Sequence, residues 1–175
     1  MPASTANTSF NLGFLTIVHE PNGYLGGYLV TNRWGRPLEF RLSTPVQPNR
    51  IQQILYGSVL QPYLCSDLIG KTLVEKTTSK ADLIFTDCEA ALDLRKLLDT
   101  PVLWLADKHH PRLMELRDTG ADVSRGDCLL FLHPLFVEDA ENAVPILDAI
   151  DDAIDLDEPF SRVREAIGEA RKLSR

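Results

Sequence analysis

The rhythm of apolar and polar positions changes twice along the chain. Between residues 13 and 43 the apolar residues fall in short β-branched and aromatic runs: GFLTIVHE (13–20), YLGGYLVTN (24–32) and LEFRLS (38–43). In the last run Leu38, Phe40 and Leu42 alternate with Glu39 and Arg41, the two-residue period of a half-buried strand. EPNG (20–23) and NRWGRP (32–37) separate the runs with turn chemistry. Three strands joined by two tight turns predict an antiparallel meander. Gly26 and Gly27, inside the second strand, predict a bulge or a close backbone approach there.

After STPVQPN the period becomes helical. Pro48 suits the first position of a helix carrying Ile51, Ile54, Leu55 and Val59; Gly57 weakens it, and Pro62 ends or kinks it. A second helical run starts at Tyr63. From residue 81 the rhythm alternates: ADLIFTD (81–87) is an apolar strand, CEAALDLRKLL (88–98) a helix, PVLWLA (101–106) a strand, PRLMELRD (111–118) a short helix, TGAD a turn and CLLFLH (128–133) a strand. Near-continuous apolar strands alternating with helices predict parallel strands covered on both faces. Two amphipathic helices follow, the first with Ala143, Ile146, Leu147, Ile150 and Ile154 on one face and a start near Pro145. The second begins at Pro159 and carries Phe160, Val163 and Ile167. The expected class is therefore α/β: a mixed sheet in which the meander is continued by parallel β-α-β-α-β, with helices on both faces, as a three-layer sandwich. Residues 1–10 are expected to be a disordered tail, and residues 11–175 one domain closed by the two helices.

Composition changes this picture little. The chain is 44% hydrophobic and 25% charged, enough apolar material for a core. Net charge is −7, from 25 acidic and 18 basic residues, and on that balance nucleic acid is not expected as the main partner. No apolar stretch approaches membrane-spanning length and no secretory leader is evident, so the expected setting is cytoplasmic with no membrane contact. Cys65, Cys88 and Cys128 form no CxxC pair and read as buried reduced thiols. Nine acidic residues and no lysine or arginine lie between Pro134 and Ser161, after which the chain turns basic to its end.

Candidate chemistry gathers at strand ends. His19 ends the first strand, with Glu20 after it. Asp87 and Cys88 end the fourth, Asp107, His109 and His110 follow the fifth, and His133 ends the sixth. Ligands of open α/β sheets bind outside the carboxyl ends of the strands. The candidate catalytic set is His109, Asp87 and His133. A metal set of His19, Asp87, His109, His110 and His133 would suit a divalent ion bound by imidazole and carboxylate. Beside this stands a structural reading. TDCE (86–89) is a capping box in which Thr86 caps the helix and Glu89 reaches back, and the histidines are loop residues. No HExxH, GxSxG, P-loop or GxGxxG spacing occurs.

The order of meander, helical segment, strand, helix, strand and helix is similar to the ribonuclease H-like fold. That resemblance implies an acid in the first strand, a second on the first helix and a third at the end of the fourth strand. Asp87 matches the third position. FLTIVHE has no internal aspartate, Glu20 lies at its very end, and Glu75 and Asp67 are the acids of the helical run. Residues 81–136 also resemble the later strands of a response-regulator receiver domain, where Asp87 and Ala106 match strand-end positions and His133-Pro134 stands in place of Lys-Pro.

With no catalytic spacing, the leading expectation is a non-enzymatic regulatory or protein-interaction module without a cofactor. It would contact a protein partner or a second copy through the 24–40 hairpin, with Trp34 at its tip, or through the C-terminal helices. The alternative is a metal-dependent hydrolase or nuclease with a His/Asp site at the carboxyl ends of the strands.

Overall fold

Both tight turns close as the sequence predicts. In a computed structural model, which describes residues 9–174, β1 (Asn11–Glu20) and β2 (Gly23–Asn32) pair antiparallel over their whole length around EPNG. β3 (Pro37–Leu42) returns beside β2 as the outer strand of the meander. β4 (Leu83–Thr86) then lies parallel to β1, and β5 (Val102–Ala106) parallel to β4. With β6 (Asp122–Arg125) and β7 (Cys128–Leu132) the result is one seven-stranded mixed sheet in the order β3-β2-β1-β4-β5-β7-β6.

One strand runs opposite to expectation. CLLFLH was read as the last parallel strand, but β7 is antiparallel to both β5 and β6. The crossover from β5 through α4 (Leu113–Arg117) delivers the chain to β6. A Gly126 turn with φ 57° then folds β7 back into the gap between β6 and β5. β6 reads DVSR, half exposed and without an apolar period, so its pattern did not announce a strand.

The helical run after the meander is nearly continuous. Asn49 and Gln52 form a reciprocal capping box that starts α1 (Arg50–Tyr56), two residues past Pro48. A short 3-10 turn, α2 (Leu60–Pro62), a π-helix (Tyr63–Gly70) and α3 (Lys71–Lys76) follow. The segment after β4 is a 3-10 helix, Glu89–Lys96. At the C-terminus, α5 (Ala140–Ala149) contains Pro145 inside it, five residues past its actual start, and α6 (Glu158–Leu173) begins one residue before the expected Pro159.

Each face of the sheet has its own core. Phe14, Leu29, Phe85 and Leu103 meet Leu147 of α5 and Phe160, Val163 and Ile167 of α6 on one side. On the other, Leu15, Val30, Ile84 and Trp104 meet Ile69 of the π-helix, Leu73 of α3 and Leu94 of the 3-10 helix. This is the three-layer arrangement expected of two apolar sheet faces. Gly26 and Gly27 explain how both layers come so close. A Cβ on Gly26 would stand 2.2 Å from Ile69 Cγ2, and one on Gly27 would stand 2.5 Å from Val163 Cγ1. Close approach, from opposite sides, is the reason for the glycine pair. Phe10, read as part of the tail, is buried in the α5–α6 core, while residues 1–8 lie outside the described residues.

Candidate functional site at the carboxyl rim

β1 is longer than its parallel neighbour: Leu15 pairs with Thr86, so five residues of β1 pass beyond the end of β4. Thr16, buried on the α6 side, therefore meets Asp87 where the chain leaves β4. The Thr16 hydroxyl donates to the carboxylate at 2.7 and 2.8 Å, and the Arg164 guanidinium of α6 pairs with it from the other side. Burial holds the Asp87 carboxyl above the ordinary range, outweighing the opposing pull of Thr16 and Arg164.

Two further carboxylates at this rim are each bound to an arginine from a distant segment. Glu20, at the end of β1, pairs with Arg171 of α6. Glu89, at the start of the 3-10 helix, pairs with Arg112 at 2.8 Å and faces His110 Nε2 at 3.4 Å. The capping-box reading of TDCE is thereby corrected. Thr86 Oγ1 accepts from Cys88 N at 3.2 Å, the N-cap is Cys88, and Glu89 turns outward to Arg112 because a guanidinium is the stronger partner.

The histidines separate. His110 packs edge-on to Trp104, His109 is exposed in a turn whose backbone N–H donates to Asp107 at 2.7 Å, and His19 stacks on Tyr24 with centroids 4.2 Å apart. All three belong to the carboxyl rim. His133 does not. Leu132 pairs with Leu103 while Leu129 pairs with Ala106, so His133 lies beside the start of β5, and the loop of His109 and His110 lies beyond its end. The offset is on the order of 13 Å along the strand. His133 is buried, accepts from Leu135 N at Nδ1 and therefore donates from Nε2 to Asp93 at 3.0 Å. Asp87, His109 and His133 thus do not share one point. Among the described residues no group of three His, Cys, Asp or Glu side chains is placed to hold a metal ion.

A groove of about 1030 Å³ runs from the rim along the face beneath the 3-10 helix. His19, Cys88, Glu89, Arg112 and Trp104 line it at one end, and Asp93 and His133 further along. Cys88 Sγ lies 4.0 Å from Cys65 Sγ of the π-helix. The Cys88 thiol is drawn down by Cys65 and by the Ala91 and Ala90 backbone N–H groups, while contact with Cys88 and burial push Cys65 up. Sequence reading missed Thr16, Arg164, Arg171 and Cys65 as parts of this site; the basic swing after Ser161 was the one signal that pointed to the arginines.

No family model matches the sequence, and no curated protein matches it. Among solved structures, the chain is similar to a variant of endonuclease V from Ciona intestinalis in complex with a 23mer DNA containing an inosine followed by a ribo-adenosine. The TM-score is 0.50 at 10% identity, over 94% of this chain and 88% of that one. A second complex of the same enzyme with a 24mer DNA gives 0.49 at 11%, covering 94% and 88%. A protein of unknown function from Archaeoglobus fulgidus gives 0.47 at 12%, covering 78% of this chain and 86% of that one. The fold is an endonuclease V-like α/β fold.

This finding overturns the leading expectation. A non-enzymatic regulatory or protein-interaction module, with nucleic acid set aside, gives way because 94% of the chain is similar in fold to a nuclease in complex with DNA. The comparison sides with the alternative of a metal-dependent hydrolase or nuclease rather than with this leading expectation. Of the surfaces offered for protein contact, α5 and α6 turn Leu147, Phe160 and Val163 into the core. In the 24–40 hairpin, Arg33 donates to Ala149 O at 2.8 Å and Gly35 O accepts from Arg162 at 3.0 Å. Trp34 at the tip, with Leu38 and Phe40 on the returning strand, stays exposed. Among the described residues no helix is long and apolar enough to cross a membrane.

A divalent metal, expected under the alternative and implied by the ribonuclease H resemblance, does not fit these residues. On the first strand it is Thr16, not an acid, that stands beside Asp87, the Asp87 carboxylate is engaged by that hydroxyl and a guanidinium, and among the described residues no second carboxylate joins it in a ligand set.

Proposed function

We propose that the chain is a nucleic-acid-binding protein of the nuclease-like class, and that a strand lies across the carboxyl rim with its phosphates against Arg112, Arg164 and Arg171. The observation that carries this reading is the three carboxylate–arginine pairs of the rim, Glu89–Arg112, Asp87–Arg164 and Glu20–Arg171, the first of them lining an open groove. Guanidinium groups take phosphate in the same bidentate geometry as carboxylate, so a strand exchanges one anion for another. Trp104 and His110 border the groove close to Arg112.

Fluorescence anisotropy with end-labelled single-stranded DNA, single-stranded RNA and duplex DNA at low salt tests this. Binding of at least one probe is expected, weakened roughly tenfold or more in the Arg112→Gln, Arg171→Gln double variant, which leaves Asp87 and Arg164 intact. Absence of binding to all three probes, or equal affinity in the variant, defeats the reading.

A hydrolase on the same rim is the second reading. The observation favouring it is the Asp87 carboxyl, desolvated and held above its ordinary range at the strand end that the ribonuclease H resemblance gives to an acid. Release of labelled fragments that Asp87→Asn abolishes, with binding retained, would establish it. His109 and His133, the other catalytic candidates, are tested by the same assay as His109→Ala and His133→Asn.

A further inference from the structure

Cys65 and Cys88 come from separate helices that meet edge to edge. The π-helix turns more widely than an α-helix and presents Cys65 and Ser66 together to the start of the 3-10 helix. The Ser66 hydroxyl donates to Ala90 O at 3.0 Å and pins that junction, while the two sulfurs stand 4.0 Å apart. Cys65 is fully buried at 2% exposure, whereas Cys88 is partly exposed and lines the groove. Cys88 is also the N-cap of the eight-residue 3-10 helix, its carbonyl accepting from Ala91 N at 3.0 Å, and the Ala91 and Ala90 N–H groups draw its thiol down. One thiol is thus reachable from solvent and set at a helix N-terminus. The other lies sealed behind it at a distance that closes to a disulfide with a shift of about 2 Å.

We propose that Cys88 and Cys65 form a reversible oxidation site, in which Cys88 reacts with a hydroperoxide entering the groove and Cys65 resolves the product as an internal disulfide. The Cys88 thiolate attacks one peroxide oxygen and the O–O bond breaks. Cys88 becomes a sulfenic acid, and the other oxygen leaves as water or an alcohol after taking up a proton. Cys65 sulfur then attacks Cys88 sulfur; the S–S bond forms, the S–O bond breaks, and the hydroxyl departs as water with the Cys65 proton. Two thiols are oxidised by two electrons and one peroxide is reduced. Cys128, with neither a helix N-terminus nor a sulfur neighbour, takes no part.

The experiment uses the full chain treated with hydrogen peroxide, then counts free thiols after denaturation and maps crosslinked peptides by mass spectrometry. The titratable thiols should fall from three to one, with Cys65 and Cys88 joined, the monomer retained, and all thiols recovered on reduction by dithiothreitol. Cys88→Ser should lose no thiol under the same treatment, and Cys65→Ser should instead yield a Cys88 sulfenic acid that a cyclic diketone traps. Oxidation first at Cys128, a disulfide between two copies, or retention of all three thiols overturns the proposal. Circular dichroism of both variants checks that they fold. The outcome does not depend on whether the groove binds nucleic acid.

Discussion

At the scale of single residues, the side chains that fasten this fold are carboxylates in unusual company. Glu39, on the outer strand of the meander, accepts from Ser79 N at 2.8 Å and Thr78 N at 3.0 Å and is paired with Arg41. The Ser79 and Thr78 amides, with Arg41, hold its carboxyl down to about 2. A carboxyl depressed in the folded state stabilises the fold above its unfolded value, and that contribution disappears as pH falls through the folded value. Glu39→Gln should therefore lower Tm at neutral pH. The gap from wild type should narrow steadily below pH ~4 and close near pH ~2, as read by thermal melts across that range. Asp87 has the opposite sign. Its carboxyl is raised by burial, so ionisation at neutral pH works against folding, a cost of the kind that functional positions carry.

At the scale of elements, β2 is the thin plane between the two layers. Gly27→Val would drive a side chain into Val163 and Ile167 of α6, and Gly26→Val one into Ile69 and Leu73. Each should destabilise by about 1–3 kcal/mol, seen as a lower urea midpoint with an unchanged slope. The meander, β4 and β5 were legible because alternation, turn residues and apolar runs are local signals. The direction of β7 was not, since CLLFLH has the same pattern whichever way it runs. β6 escaped because four half-exposed residues have no period. For the site, Asp87 was visible as a polar residue at a strand end. Its partners were not: Thr16 lies 71 residues away and Arg164 lies 77 away. Cys65 and Cys88, 23 residues apart, were concealed in the same way, because the wide π-turn that aims Cys65 has no sequence signature.

At the scale of the whole molecule, the proposed strand binding sets local charge against net charge. A chain at −7 suggests repulsion of phosphate, yet the acids concentrate between Pro134 and Ser161 while α6 delivers arginines to the rim. If three guanidinium groups each take a phosphate, log affinity for a single strand should fall with log salt at a slope of about −2, from ~0.7 per contact. A titration series at several salt concentrations reads this directly, and the Arg112→Gln, Arg171→Gln variant should flatten it.

The position of β7 also constrains how the sheet is assembled. It follows β6 in the chain yet lies between β6 and β5, so β6 cannot first dock on β5 and then be extended outward by a neighbour. The Arg125–Cys128 reversal closes a short loop at low entropic cost, which favours the β6–β7 pair arriving as a finished hairpin. Protection of the Val123 and Leu130 amides would then mature together, after the older strands of the sheet are already joined.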